Sequence, residues 1–221
     1  MGPLIQLTKS PTMHKVEITN ANATQHREAW LAIRRRHVTA TDWPKITGTS
    51  LWGSAHDVIT DKLYEPEEEN GPTPLPMRLG SALEPLIIKE IKKEWGPGTY
   101  LSQSFVSRKH LGFTPDLIKV KEGADWELAE IKVSVKKWGE EVPSHYLDQV
   151  EFQATVLGLE RVHIVHLELS DWSEGFRMLR AGKVPTERLE LYPIDVNSTV
   201  RRRIERKAEG WWASHIGQAR D

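Results

Sequence analysis

Cysteine is absent from the sequence. That excludes disulfides, cysteine-ligated zinc and iron–sulfur clusters, and it is compatible with a reducing cytoplasm. No apolar run reaches the length of a membrane span, and the first residues lack the apolar core of a signal peptide. An excess of positive charge is missing too. Lys and Arg number 30 against 31 Asp and Glu, a net charge of −1, so any nucleic-acid site must be a local patch in a balanced chain. Internal repeats and low-complexity tracts are also lacking.

What is present fits one sizeable soluble domain. The chain has 221 residues, 38% of them hydrophobic and 28% charged, values of a globular rather than a disordered protein. Residues 1–24 are polar and weakly patterned and read as an arm, with a short strand at Lys15-Val16-Glu17-Ile18. The domain is expected over 25–221.

The most informative stretch is Phe113 to Lys132. A β-prone run from Gln103 through Phe113 is closed by Thr114-Pro115-Asp116, and a second, Trp126 to Val133, holds Glu130-Ile131-Lys132. Side chains alternate along a strand, so Glu130 and Lys132 share a face and Ile131 takes the other. A turn at Lys121 to Asp125 is expected to fold Asp116 back beside Glu130. Carboxylates bind hard cations such as Mg²⁺ or Mn²⁺, and a lysine beside them can hold or help deprotonate a bound water. Glu-x-Lys alone is an ordinary strand-edge ion pair; the upstream Pro-Asp makes the pattern specific.

Elsewhere the chain alternates helical and extended patterns. A short amphipathic helix runs from His26 to Arg34, then Thr39 or Thr41 is placed to cap a second helix through Ile46, with Pro44 in its first turn. Such a helix start with Arg34 nearby would suit a phosphate; equally, Thr41 reads as a plain cap and the arginines as a solvated face. A helix over Ala55 to Leu63 turns Val58, Ile59 and Leu63 inward, and Glu65 to Pro76 is a surface connection rich in Pro, Glu and Gly. Met77 to Trp95 forms a long helix with Leu79, Leu83, Ile87 and Ile91 as its buried stripe. Pro85 must kink that helix or start a new one.

After the second run, Pro143-Ser144 opens a helix that Gly158 ends. Tyr146, Gln149 and Gln153 share one of its faces, suited to hydrogen bonding with water or phosphate. Arg161 to Leu169 reads as a strand, the segment holding Trp172 and Phe176 as a loop, and Leu189 to Val196 as another strand. Asn197 or Ser198 caps a last helix, Val200 to Ile216, that carries Arg201, Arg202, Arg203, Arg206 and Lys207 and then Trp211-Trp212. Such a helix would line a DNA channel or a subunit interface, or be a solvated face anchored by tryptophan.

Pro115-Asp116 followed by Glu130-Ile131-Lys132 resembles the metal site of the PD-(D/E)XK nuclease superfamily. The flanking residues resemble one branch of it, the lambda exonuclease (YqaJ-type) viral recombinases. Trp30 with Arg34, Thr39-Ala40-Thr41-Asp42, Gly80-x-x-x-Glu84, Pro115-Asp116, Glu130-x-Lys132 and Tyr146-x-x-Gln149-Val150 occur in that family's order. Ile131, Thr114 and Thr41 stand where its best-known member has Leu, Ser and Ser.

The resemblance implies an α/β fold with a restriction-endonuclease-like core, a mixed central sheet flanked by helices, and the active site at the edge formed by Asp116 and Glu130. It implies a Mg-dependent exodeoxyribonuclease that digests double-stranded DNA ends 5′ to 3′, leaves 3′ overhangs and serves phage-type recombination by strand annealing. Two Mg²⁺ per site, with Mn²⁺ as the alternative, would be held by Asp116, Glu130, the Ile131 carbonyl and Glu84. Lys132 and Gln149 would position the attacking water, with Tyr146 in support, and Arg34, Thr41 and Thr114 would hold the DNA 5′-phosphate. Implied partners are a single-strand-annealing protein and further copies in a ring, most familiarly a trimer. The setting would be the cytoplasm of a bacterial host, with no membrane partner. The rival readings are a related endonuclease of restriction or RecB-like type, and a non-catalytic DNA-end-binding protein on the same fold.

Overall fold

The computed structural model describes residues 16–19, 26–64, 72–121, 126–139 and 141–217. Residues 122–125 of the expected turn and most of the arm and of the 65–76 connection lie outside the described residues. At the centre is strand β7 (Glu127–Ser134), the middle member of a five-stranded mixed sheet ordered β3-β6-β7-β8-β9. Its neighbours are β6 (Leu117–Val120), antiparallel, and β8 (Arg161–Glu168), parallel. The edges are β3 (Thr99–Leu101) and β9 (Leu189–Asp195). A smaller mixed sheet orders β1 (Glu17–Thr19), β4 (Phe105–Arg108), β5 (Leu111–Phe113) and β2 (Val38–Thr39).

Parallel neighbours need a crossover, and helix α5 (Ser144–Leu157) supplies it between β7 and β8. It starts after Pro143, whose missing amide is harmless there, and stops at Gly158 in the left-handed region, φ 74°. On the face it covers, Leu128, Ile164 and Val162 pack with Val150, Phe152 and Val156. Helix α7 (Ser198–Trp212) lies outside α5 and adds Ile204, Ala208 and Trp212 to the same core. The opposite face is covered by α4 (Leu75–Trp95), whose Leu79, Leu83, Ile87 and Ile91 meet Ala129, Ile131 and Val165. Strand alternation thus sends Ile131 to one core and turns Glu130 and Lys132 toward α5.

Several expectations are corrected. The run Gln103 to Phe113 is two short strands in the smaller sheet, and neither pairs with β7. Asp116 instead opens β6, where Leu117 pairs with Ala129, which still sets the aspartate beside Glu130. Asp116 and Glu130 therefore meet where β6 begins against the middle of β7, between two interior strands and not at a lateral sheet edge. Of the two expectations for Pro85, a kink or a new helix, the second does not hold: α4 runs through it. The segment with Trp172 and Phe176 is a helix, α6 (Trp172–Ala181), not a loop. Asp171 caps it by accepting from the Glu174 amide, and Gly182 ends it at φ 61°. Gly175 is its contact point with α4: a Cβ there would meet Leu79 Cδ2 at 2.6 Å.

The N-terminal region differs too. Helix α1 (Arg27–Arg35) forms as expected, but α2 (Trp43–Thr47) is only five residues long. Neither Thr39 nor Thr41 caps it; Asp42 occupies that position and accepts from the Thr39 amide at 2.8 Å and hydroxyl at 2.7 Å. In α3 (Ala55–Leu63) Val58 is buried while Ile59 and Leu63 are half-buried, and Lys62 is buried too.

Candidate active site

Glu130 is 3% exposed in the middle of β7. A buried carboxylate needs donors, and three side chains supply them. Lys132 Nζ lies 2.6 Å from Oε1, Gln149 Nε2 donates to the same oxygen at 2.6 Å, and Gln153 Nε2 donates to Oε2 at 2.7 Å. Lys132 also donates to Gln149 Oε1 at 3.1 Å. Gln149 and Gln153 are one helical turn apart on α5, so one helix face meets one strand face. Tyr146 belongs to the same face, with Lys132 Nζ 4.9 Å from its ring centroid.

Asp116 reaches the group from β6. Its Oδ2 accepts from the Ile131 amide at 2.7 Å, a contact of the Ile131 backbone different from the expected carbonyl role. Burial first, then the charges of Glu130 and Glu84, hold the Asp116 carboxyl well above the usual carboxylate range, against the opposing pull of Lys132. Glu84 projects from α4 and is raised by the same pair of causes, burial and then Glu130, while the Gln103 side chain bonds it and opposes the shift. Lys132 is disfavoured as an ammonium by burial, but Glu130 and Asp116 outweigh that and raise it above its ordinary value. It therefore acts here as a charged donor.

The arrangement is an anionic cluster with too little positive charge. Three carboxylates share one ammonium, and two of them, Asp116 and Glu84, are raised by burial and then by neighbouring charge. Among the described residues, no three of His, Asp or Glu are drawn into a closed ligand set. Asp116, Glu130 and Glu84 nonetheless bring together oxygen donors of the kind a hard divalent cation takes.

Arg34, Thr41 and Thr114 form a second group. Arg34 Nη2 donates to Thr41 Oγ1 at 2.9 Å while its guanidinium stacks over Trp30, 4.5 Å from the centroid. Trp30 Nε1 in turn donates to Thr114 Oγ1 at 2.9 Å. Thr114 stands two residues before Asp116, so the two groups are joined through Thr114-Pro115-Asp116. Burial lowers the Arg34 pKa, with Asp42 and Asp61 opposing. Below it Asp42 and Lys62 form a buried ion pair at 2.6 Å, and Lys62 also donates to the Arg34 carbonyl at 2.9 Å. Trp30, Arg34, Lys45 and Lys62 line a cleft of about 830 Å³. Asp42 and Asp61 line it too, whereas Asp116, Glu130 and Glu84 do not.

Four residues were not placed in the site by the sequence. Gln153 shared the hydrogen-bonding face of Tyr146 and Gln149, and the structure sets it on Glu130. Gln103 holds its backbone in the left-handed region at φ 58°, donates its amide to the Pro115 carbonyl at 3.0 Å and reaches Glu84. Strain of this kind, of order 1–3 kcal/mol, tends to gather at functional sites. Asp42 and Lys62, the buried pair under Arg34, gave no signal of their burial.

The family model of the YqaJ-like viral recombinase domain matches residues 29–160, more than half of the chain. The uncharacterized protein YqaJ of Bacillus subtilis (strain 168) is 25% identical over 154 residues, 67% of this chain and 48% of that protein. The chain thus spans about half the length of that curated relative. Among solved structures, LHK-Exo in complex with dAMP is similar at a TM-score of 0.65 and 17% identity over 87% of this chain and 94% of that one. The alkaline exonuclease LHK-Exo from Laribacter hongkongensis gives 0.63 at 18% identity, with the same coverage. A phage related exonuclease from Haemophilus somnus 129PT gives 0.53 at 11% identity, over 82% and 96% of the two chains. At such identities the likeness is one of fold, and the fold is that of phage-related exonucleases.

Proposed function

The chain belongs to the YqaJ-like viral recombinase family, and from that premise we propose that it is a Mg²⁺-dependent exonuclease of the PD-(D/E)XK type. It digests double-stranded DNA from 5′ ends and leaves 3′ overhangs for recombination by strand annealing. The observation that carries this reading is the convergence of Lys132, Gln149 and Gln153 on Glu130 while Asp116 and Glu84 crowd the same charge.

Asp116, Glu130, the Ile131 carbonyl and Glu84 would hold two Mg²⁺ ions, with Mn²⁺ as a substitute. When bound, such cations polarise a phosphoryl oxygen and lower the pKa of a water. Each side chain then has a defined task. Lys132, kept charged by Glu130 and Asp116, donates toward the attacking water or the phosphoryl oxygen. Gln149 holds the Lys132 ammonium and the Glu130 carboxylate in one register, and Tyr146 walls Lys132 from solvent. Arg34, with Thr41 and Thr114, binds the terminal 5′-phosphate through charge-assisted hydrogen bonds. Hydrolysis forms a bond from water oxygen to phosphorus, breaks the P–O3′ bond and returns the proton to the departing 3′-oxygen. The product is a mononucleotide, which accords with the dAMP held by LHK-Exo.

The family also supports assembly with further copies, in a ring such as a trimer, and delivery of the new single strand to an annealing protein inside a bacterial host. Sedimentation of the purified chain tests the first of these. Polarity and end-dependence are tested together on a linear duplex labelled at either end, with and without a 5′-phosphate, beside a closed circle. Early release of the 5′ label as mononucleotide, slowed without the phosphate, is expected. Arg34→Ala is expected to erase that phosphate preference. Cutting of the closed circle would replace the exonuclease with a related endonuclease, and tight binding without cutting would leave only an end-binding protein.

A further inference from the structure

Helix α7 segregates its charges by side. Its two carboxylates turn inward to the β4–β5 hairpin: Glu209 lies 2.6 Å from Lys109 Nζ, and Glu205 lies 3.4 Å from Arg108 Nη1. Arg201 also turns inward, and its Nη1 donates to the Leu159 and Val196 carbonyls at 2.7 Å each. The other four cations, Arg202, Arg203, Arg206 and Lys207, are exposed. Among the described residues none of the four forms an ion pair.

Their spacing makes the arrangement costly. Arg202 and Arg206 are four residues apart, as are Arg203 and Lys207, and like charges at that spacing destabilise a helix. No acidic residue in the first turn offsets them. A stripe that opposes the local preference of its own helix points to a use elsewhere. On the outer side of α5, away from Gln149, Arg203 acts electrostatically on Glu151, and Lys207 Nζ lies 5.6 Å from the ring centroid of Trp43.

We propose that this stripe binds the sugar–phosphate backbone of double-stranded DNA, as a track along the exposed face of α7 distinct from the catalytic cluster and the terminal-phosphate group. Three of the four cations are arginines, whose planar fork suits phosphate, and the chain has no net positive charge to attract DNA otherwise. The contacts are independent of base sequence. This inference rests on the nuclease reading for its choice of polyanion, yet it is tested without catalysis.

The test is equilibrium binding of a fluorescent blunt duplex in EDTA, between about 50 and 200 mM salt. The wild type is compared with the fourfold variant Arg202→Gln, Arg203→Gln, Arg206→Gln and Lys207→Gln. Each lost phosphate contact reduces the slope of log K against log salt by about 0.9, so the variant's slope should be shallower by about 3 to 4 if all four engage. Its thermal midpoint should equal or exceed that of the wild type, since repulsion within the helix is relieved. A control, Lys89→Gln with Arg180→Gln, removes exposed cations from α4 and α6 across the sheet and should keep the wild-type slope. An unchanged slope in the fourfold variant overturns the proposal, as does an equal loss in the control. Retention of DNA binding with loss of binding to an acidic protein would also overturn it. If the slope falls as expected and no form of the chain cuts DNA with Mg²⁺, the surface stands and the nuclease reading falls.

Discussion

Gln153 Nε2 donates to Glu130 Oε2 at 2.7 Å, while Gln153 Oε1 is buried with no hydrogen-bond partner. Turning the amide over would set its oxygen against the carboxylate, so the donor must face Glu130. A buried unpaired carbonyl costs about 1–3 kcal/mol, which the fold carries in order to hold Glu130 by its second oxygen.

Replacing Gln153 should therefore separate function from stability. Gln153→Leu removes the unpaired oxygen together with the donor, and its effect on unfolding should be small. Loss of a hydrogen bond that orients a ligand typically lowers metal affinity about 10- to 100-fold, read by calorimetric titration with Mn²⁺. Wild-type Mn²⁺ affinity in the variant would remove Gln153 from any positioning role.

Asp42 and Lys62, each almost without exposure, form a pair beneath Arg34. Truncating one member leaves the other charge buried without its nearest counter-charge, a loss of about 3–5 kcal/mol. Lys62→Met should destabilise by that order in urea unfolding, and adding Asp42→Asn should recover much of it. Additive losses in the double variant would mean that the two charges do not depend on each other.

His166 is fully buried, stacked on Trp138 with centroids 3.9 Å apart. Ser134 Oγ gives its proton to the Lys136 carbonyl, so the His166 Nε2–H faces Ser134 Oγ at 2.9 Å. Nδ1 is left as an acceptor without a hydrogen-bond partner, 3.5 Å from Glu190. Burial lowers the His166 pKa, with Glu190 opposing. The unfolded chain then binds the proton more readily, so the contribution is complete above about pH 6.5 and declines as pH falls below it. The slope is at most about 1.4 kcal/mol per pH unit and ends at the folded pKa. Between pH values near 7.5 and 5, His166→Gln should lose less stability than the wild type. Parallel curves would show that His166 does not couple folding to pH.

The parts of the site built on regular periods were legible in the sequence. Strand alternation placed Glu130 and Lys132 on one face of β7, and the three-and-four spacing of Tyr146, Gln149 and Gln153 placed them together on α5. The α4 stripe was equally plain. What stayed hidden depends on irregular backbone. Lys109 turns the β4–β5 hairpin at φ 55° and Gln103 bends the chain at φ 58°, both without the Gly or Asn that usually marks such a turn. Strands β4 and β5 were therefore run together into one, and β6 after Asp116 was passed over. Helix α6 was masked by Gly175, whose use is close contact with Leu79. Burial of Asp42 and Lys62 is a tertiary outcome with no local pattern.

The account turns on Lys132 acting at a metal-ready carboxylate cluster, and hydrolysis of a linear duplex with Mg²⁺ tests it most directly. Wild type and Lys132→Ala are compared at equal DNA occupancy, with EDTA as the metal-free arm. The account predicts Mg²⁺-dependent cutting by the wild type, a loss of roughly a hundredfold or more in Lys132→Ala, and duplex binding retained by both. Cutting by Lys132→Ala at the wild-type rate, or cutting by the wild type in EDTA, would contradict it.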